Sequence, residues 1–304
     1  MKVESASGQL GDPLHAGSVP TISRLCDYYQ LTKPRVTLLV VLTAVASFYL
    51  AASVVDILPL LHLSLGTLLL VGGTSVLNQF IEREADGKMR RTMGRPLPAK
   101  RLEATEALVF GVLLTGGGIL YLSITTNLLT GLVGFLGAVV YLFAYTPLKK
   151  RSLFCTFVGA FPGASPMLLG WAAARNSLEL EAWLLFSLLF LWQFPHFLAI
   201  SWVYREDYER GGFLMLPVVD RDGKKTAWRI LIYTVLLLGV SLLPTFLGMA
   251  GIIYAIGALI MGAMFLWFSA QVVLNRSRES ARHVLRASVA YLPLLLLLMV
   301  LDRI

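Results

Sequence analysis

The chain has 304 residues, 57% of them hydrophobic and only 14% charged, with a mean hydropathy of +0.72. This leaves too little polar surface to cover a soluble globule, so the composition excludes an ordinary soluble domain and makes the lipid bilayer the chain's first partner. The formal net charge of +8 would fit a nucleic-acid partner, but the distribution of the basic residues assigns it to membrane topology instead.

Residues 1–30 are mixed in charge and have no continuous apolar run, matching neither a secretory signal nor an Arg-rich transit peptide. They are expected to form a disordered cytoplasmic tail ahead of a single transmembrane domain over residues 31–304. Apolar stretches long enough to cross a bilayer run over 36–55, 60–81, 105–123, 128–147, 153–172, 180–203, 228–248, 251–273 and 285–302. The fold class expected is therefore an all-α polytopic bundle of nine transmembrane helices. With the N-terminus in the cytoplasm, 24 of the 26 lysines and arginines fall on the cytoplasmic side, and only Arg175 and Arg303 lie beyond it. The C-terminus is then on the opposite side. Nucleic acid is set aside as a partner. Cys26 and Cys155 stand in no CxxC or Cys/His spacing, so neither a disulfide framework nor a zinc site is indicated.

The second apolar stretch runs into a polar block, residues 78–98, dense in charge within an otherwise apolar chain. If the helix continues into it, Asn78, Glu82 and Asp86 fall at i, i+4 and i+8 and stack on one face about 6 Å apart. Such a row of oxygen ligands suits a hard divalent cation. Arg83, Lys88, Arg90, Arg91 and Arg95 crowd the same end with positive charge, and metal-binding oxygens beside basic side chains are what a diphosphate needs. The block reads as a Mg²⁺-diphosphate site at a membrane surface.

The block at 204–217 repeats the layout, with Glu206 and Asp207, arginines and glycines following the sixth apolar stretch. Both blocks close on a Leu-Pro step, Leu97-Pro98 and Leu216-Pro217, which points to two four-helix halves plus a final helix. Two acidic blocks facing each other across a bundle would hold Mg²⁺ ions on one diphosphate and draw charge from it as an allylic C–O bond breaks. That is the chemistry of prenyl transfer. Reading both blocks as merely solvated loops leaves the same-face spacing and its recurrence unexplained.

The motif Asn78-x-x-x-Glu82-x-x-x-Asp86 resembles the N-x-x-x-D-x-x-x-D signature of the UbiA superfamily of intramembrane prenyltransferases. Within it the chain is most similar to the branch that farnesylates haem. That similarity rests on Leu31-Thr32-Lys33-Pro34-Arg35, on Lys88-Met89-x-Arg91-Thr92-x-x-Arg95-Pro96-Leu97, on Tyr145-Thr146-Pro147-Leu148-Lys149-Lys150-Arg151, and on the run from Pro195-His196-Phe197 through Asp207-Tyr208-x-x-Gly211-Gly212-x-x-Met215-Leu216-Pro217. Together these stretches extend the resemblance over about residues 28–302.

The resemblance implies a nine-helix bundle in a bacterial inner membrane, with farnesyl diphosphate and haem b as substrates and Mg²⁺ as cofactor. The product would be haem O, for haem-copper oxidase biogenesis. A haem A synthase or oxidase assembly proteins would then be its protein partners. It assigns Mg²⁺ to Asn78, Glu82 and Asp86, with Asp207 and Glu206 from the second block. It assigns the diphosphate to Arg83, Lys88, Arg91, Arg95, Lys149, Lys150 and Arg151. Lys33 and Arg35 would serve the diphosphate or a haem propionate, or act as topology anchors. His196 beside Pro195 would bind haem, or would bond the carbonyls that the proline frees. The aromatics Trp192, Phe194, Phe197, Trp202 and Tyr204, with Tyr141 and Tyr145, would face a farnesyl cation or the lipid. The chain departs from the superfamily where Asp207 is followed by Gly211 instead of a second Asp, and where Glu82 replaces Asp. Two other readings are a prenyltransferase with a quinone-precursor or chlorophyllide acceptor, and a transporter. The gathering of ionisable residues at one face argues against transport.

Overall fold

A computed structural model describes residues 21–304. Among them the chain is helical, and nine helices are long and apolar enough to cross a membrane. The protein is thus a multi-pass membrane protein of the fold class expected. A short surface helix, α1 (Thr21–Leu31), precedes the spans. The spans are α2 (Pro34–Ala51), α3 (Ile57–Lys88), α4 (Ala104–Thr125), the run Leu128–Leu148, α7 (Cys155–Arg175), α8 (Leu180–Val203), α11 (Lys224–Phe246), α12 (Ile252–Asn275) and α13 (Arg278–Leu301). The run Leu128–Leu148 comprises α5 (Leu128–Val139), a π-helical segment Val140–Tyr145 and α6 (Thr146–Leu148). Two short helices, α9 (Arg205–Arg210) and α10 (Leu216–Val219), fold the second polar block.

Residues 21–30, expected in a disordered tail, are helical instead, and residues 1–20 lie outside the described part. Long-range polar contacts hold α1 in place. Arg24 grips Glu106 of α4 at 2.7 and 2.9 Å, Asp27 accepts from Arg101 Nε at 2.9 Å, and the Leu31 carbonyl accepts from Gln79 of α3 at 2.6 Å. Nothing local in residues 21–30 announces these partners. Lys33, in the left-handed conformation at φ 49°, makes the hinge, and Pro34 starts α2 at a position that needs no backbone donor.

The spans pack as two rings. Helices α2, α3, α4, α5 and α7 form the first, closed by α7 against α2, while α8, α11, α12 and α13 form the second, joined to the first along α7 and α8. The two four-helix halves plus a final helix are therefore a five-plus-four division. The reason lies at the α2–α7 contact. Gly170 lets the Ala44 carbonyl approach so closely that a Cβ there would stand 2.0 Å from it, and Ser47 Oγ donates to the Met167 carbonyl at 2.6 Å. Small residues and interhelical hydrogen bonds are what drive helices together where lipid removes the hydrophobic advantage.

Nearly all basic residues gather at one end of the bundle, the basic face. The two exceptions serve one helix terminus. Arg175 Nε donates to the Ala51 carbonyl at 2.6 Å, and Arg303 donates to the carbonyls of Tyr49, at 2.6 Å, and Ala52. These carbonyls end α2, where intrahelical donors run out and the helix dipole is negative.

Candidate active site at the basic face

Helix α3 continues through 32 residues, past its apolar portion and into the first polar block as far as Lys88. Asn78, Glu82 and Asp86 consequently share one face. All three are buried, at 2%, 6% and 1% exposure. The chain then turns at Met89 and folds back, Thr92 Oγ1 donating to the Asp86 carbonyl at 2.9 Å, so that Arg95 returns to the row and its Nη1 lies 2.6 Å from Asp86 Oδ2.

Each member of the row has a partner from a different segment. Lys33, at the α1–α2 hinge, donates to Asn78 Oδ1 at 3.2 Å, and Asn78 Nδ2 donates to Thr146 Oγ1 at 3.2 Å. Lys149 Nζ reaches Glu82 Oε1 at 2.8 Å and lies 4.5 Å over the Tyr145 ring and 5.7 Å over that of Phe213. The π segment ahead of it stacks Tyr141 on Tyr145 at 5.6 Å, a local irregularity often found at functional sites.

The second block meets the first. Asp207, buried on α9, accepts from the Arg90 backbone N–H at 2.9 Å and pairs with Arg210. The Arg91 guanidinium covers the rings of Tyr204 at 4.9 Å and Tyr208 at 5.7 Å, and the Leu214 N–H donates to the Lys149 carbonyl at 2.7 Å. Three segments, 78–95, 145–149 and 204–215, thus converge on one polar site.

Burial shapes its charges. It pushes the Lys33 ammonium down to about 7, with Arg95 and Lys149 acting in the same sense. Burial would lower Lys149 too, but the Tyr145 oxygen and the Glu82 carboxylate outweigh it and hold that ammonium above its ordinary range. For Asp207 burial would raise the carboxyl, yet the Arg210 and Arg90 donors win and hold it below the ordinary carboxylate value.

Among the described residues no three His, Cys, Asp or Glu side chains converge closely enough to hold an ion as they stand. The donor set nevertheless fits Mg²⁺. It consists of hard oxygens from Asn78, Glu82, Asp86 and Asp207, and each carboxylate is paired with a cation, Lys149, Arg95 or Arg210.

Other residues expected at the site lie elsewhere. Arg83 donates to the Phe80 carbonyl at 2.7 Å and covers the Phe80 ring at 4.6 Å, a quarter-turn round α3 from the row. Lys88, Arg90, Lys150, Arg151 and Arg35 are exposed at the rim, whereas Arg91, though exposed, stays with the site over Tyr204 and Tyr208. Glu206 is exposed and points to Arg278 of α13, 3.9 Å away. His196 faces α13, its Nδ1 2.7 Å from Ser288 Oγ and its ring stacked 4.5 Å from Trp192. Phe194 stacks on Tyr233 of α11 at 3.9 Å, as packing. The sequence reading missed Thr92, Thr146, Tyr208 and Arg210. Thr92, Thr146 and Tyr208 stood within the stretches that carry the resemblance but without a role, and Arg210 stood at i+3 from Asp207.

The fold and the sequence have known counterparts. A protoheme IX farnesyltransferase from Solibacter usitatus is 48% identical over 287 residues, 91% of this chain and 98% of the relative. Among solved structures, a digeranylgeranylglyceryl phosphate synthase superposes with a TM-score of 0.78 at 21% identity, over 92% of this chain and 98% of its own. A UbiA homologue from Archaeoglobus fulgidus bound to GPP and Mg²⁺ superposes with a TM-score of 0.66 at 10% identity, over 90% and 99%. With residues 39–294 matching it across both polar blocks and the row on α3, the chain belongs to the UbiA prenyltransferase family.

Proposed function

We propose that the protein transfers the farnesyl group of farnesyl diphosphate to a vinyl group of haem b, giving haem O. The observation that carries this reading is the buried set of Glu82, Asp86 and Asp207, each carboxylate paired with a cation, Lys149, Arg95 and Arg210 in turn. Such pairs are ready to be exchanged for a metal-bound diphosphate. The likeness to a farnesyltransferase at 48% identity supports the choice of prenyl donor and acceptor.

Asn78, Glu82, Asp86 and Asp207 would hold Mg²⁺, which when bound neutralises the leaving diphosphate. Lys149, Arg95 and Arg210, released from their carboxylates, turn to the diphosphate oxygens, with Arg91 and Lys33 alongside. The C1–O bond breaks and its electron pair leaves with the diphosphate. The faces of Tyr141 and Tyr145 stabilise the allylic cation. The vinyl π electrons of the haem then form the new C–C bond. Water captures the cation left beside the pyrrole and loses a proton, completing a hydroxyethylfarnesyl side chain. The basic face is cytoplasmic in this reading, the membrane is a bacterial inner membrane, and the product serves haem-copper oxidases through a haem A synthase or assembly proteins.

The test is a product assay on membranes carrying the protein, supplied with haem b, farnesyl diphosphate and Mg²⁺, with porphyrins analysed by mass spectrometry beside an Asp86→Ala control. Haem gaining a hydroxyethylfarnesyl group with the wild type alone, and only with the metal, supports the reading. Unmodified haem together with prenylation of a quinone precursor would move the acceptor to another class.

A further inference from the structure

On the basic face, away from the carboxylate row, a cavity of about 220 Å³ opens between the end of α8, the turn before α11 and the α12–α13 junction. Four arginines line it, Arg205, Arg221, Arg276 and Arg278, against two carboxylates, Glu206 and Asp222. The lining thus carries an excess of two positive charges. Two of the arginines have loose carboxylate partners, Arg278 with Glu206 at 3.9 Å and Arg221 with Glu209, outside the lining, at 3.5 Å. Among the described residues the Arg276 side chain makes no hydrogen bond or ion pair.

The backbone around the cavity is fixed, although the guanidiniums themselves are largely exposed, Arg221 at 84% and Arg278 at 49%. Arg205 is anchored by donating to the Arg221 carbonyl at 3.2 Å. The turn that carries Arg221 is fixed by Asp220, which accepts from the backbone N–H and hydroxyl of Thr226, both at 2.7 Å. Gly223 seats that turn on Trp202. Its φ of +70° and a Cβ position 2.3 Å from the indole leave room for no other residue. Arg276 is itself held in the left-handed conformation at the end of α12. Convergent guanidiniums repel one another unless an anion joins them, and their paired donors match phosphate oxygens. Just below the rim the helices turn to lipid, with Leu274 71% and Trp228 48% exposed.

We propose that this pocket binds a phosphate group, brought from the bilayer surface by an anionic phospholipid. Basic pockets between transmembrane helices at a negatively charged leaflet are suited to such headgroups.

The test uses the full-length protein in nanodiscs of phosphatidylcholine with or without phosphatidylglycerol, and phenylglyoxal modification of arginines mapped by mass spectrometry. Phosphatidylglycerol should slow modification of Arg276 and Arg278 at least about tenfold, whereas inorganic phosphate in phosphatidylcholine discs should not. Protection by phosphate alone would overturn the lipid source, and no protection by either would overturn the site. In parallel, R276N/R278Q should lose the lipid retained by the wild type in native mass spectra, asparagine being tolerated at the left-handed position. A K224Q/K225Q control should keep it. Equal loss in the control would assign the effect to general surface charge and overturn the pocket.

Discussion

Lys149 Nζ lies 2.8 Å from Glu82 Oε1 with both side chains nearly enclosed, at 12% and 8% exposure. Under the proposed function such an ammonium would serve two states, pairing with the carboxylate when the site is empty and with the diphosphate when it is filled. Removing one partner leaves the other as a buried, uncompensated charge, which costs about 3 kcal/mol. Glu82→Gln should therefore lower both thermal stability and turnover, the latter about a hundredfold or more. Lys149→Met should act chiefly on the KM for farnesyl diphosphate. Steady-state kinetics and thermal unfolding of the two variants, compared in the same detergent, check the difference.

Asp86 answers to Arg95 at 2.6 Å, and Thr92 fixes the turn between them through the Asp86 carbonyl. Asp86→Asn keeps the size and loses the charge, so turnover should fall by about two orders of magnitude and fail to recover at raised Mg²⁺. Arg95→Gln frees the same carboxylate, so it should bind Mg²⁺ without loss while weakening farnesyl diphosphate. Mg²⁺ titrations of activity after chelator treatment distinguish the two.

The row on α3 was legible because its spacing is local and needs only that the helix continue into the polar block. Its cations were legible as a group but not as pairs, since Lys149 to Glu82 and Lys33 to Asn78 join residues far apart in the chain. Arg83 was misplaced although it adjoins Glu82, because one helical residue is a turn of about 100°. The same geometry separates Glu206 from Asp207. Nine spans followed from hydropathy, whereas the closing of the first ring by α7 depends on Gly170 meeting a carbonyl of α2, a match that no local pattern contains.

Arg175 and Arg303, the basic residues at the opposite face, bond the last carbonyls of α2 and touch nothing in the site. Arg303→Ala should lower stability by about 2 kcal/mol, the worth of charged hydrogen bonds to carbonyls, with catalysis retained in the surviving fraction. Arg303→Lys should recover only part, lacking the fork that spans two carbonyls. Thermal unfolding followed by circular dichroism gives the comparison.

Asp220 offers a pH-dependent counterpart. Burial would raise its carboxyl, but the Thr226 donors overcome this and depress it below the ordinary value. A carboxylate depressed in the folded state stabilises fully above its unfolded pKa of about 4 and loses that contribution as pH falls through the folded value. Asp220→Asn should cost about 1 kcal/mol at neutral pH, and its unfolding curve should converge on the wild type's in acid. A constant gap down to low pH would show that packing of the turn, not the charge, is responsible.

The haem-binding role that the resemblance implies for His196 would require a nitrogen that α13 leaves free. Ser288 Oγ lies 2.7 Å from both the Leu285 carbonyl and His196 Nδ1, and when its proton goes to the carbonyl the histidine contact is donated by Nδ1–H. In that tautomer the lone pair sits on Nε2, and Trp192 holds the ring in place, its indole stacking on it and donating to the Ser288 carbonyl at 2.8 Å. Metal-binding histidines are oriented in this way through the nitrogen that does not bind. Haem b added to the wild type should give the shifted Soret band of nitrogen ligation, and His196→Leu should abolish it while the farnesyl diphosphate affinity stays unchanged. Ser288→Ala should keep the band but weaken haem about tenfold or more by releasing the ring. An unaltered Soret band in His196→Leu would leave the histidine as a packing partner of α13 alone.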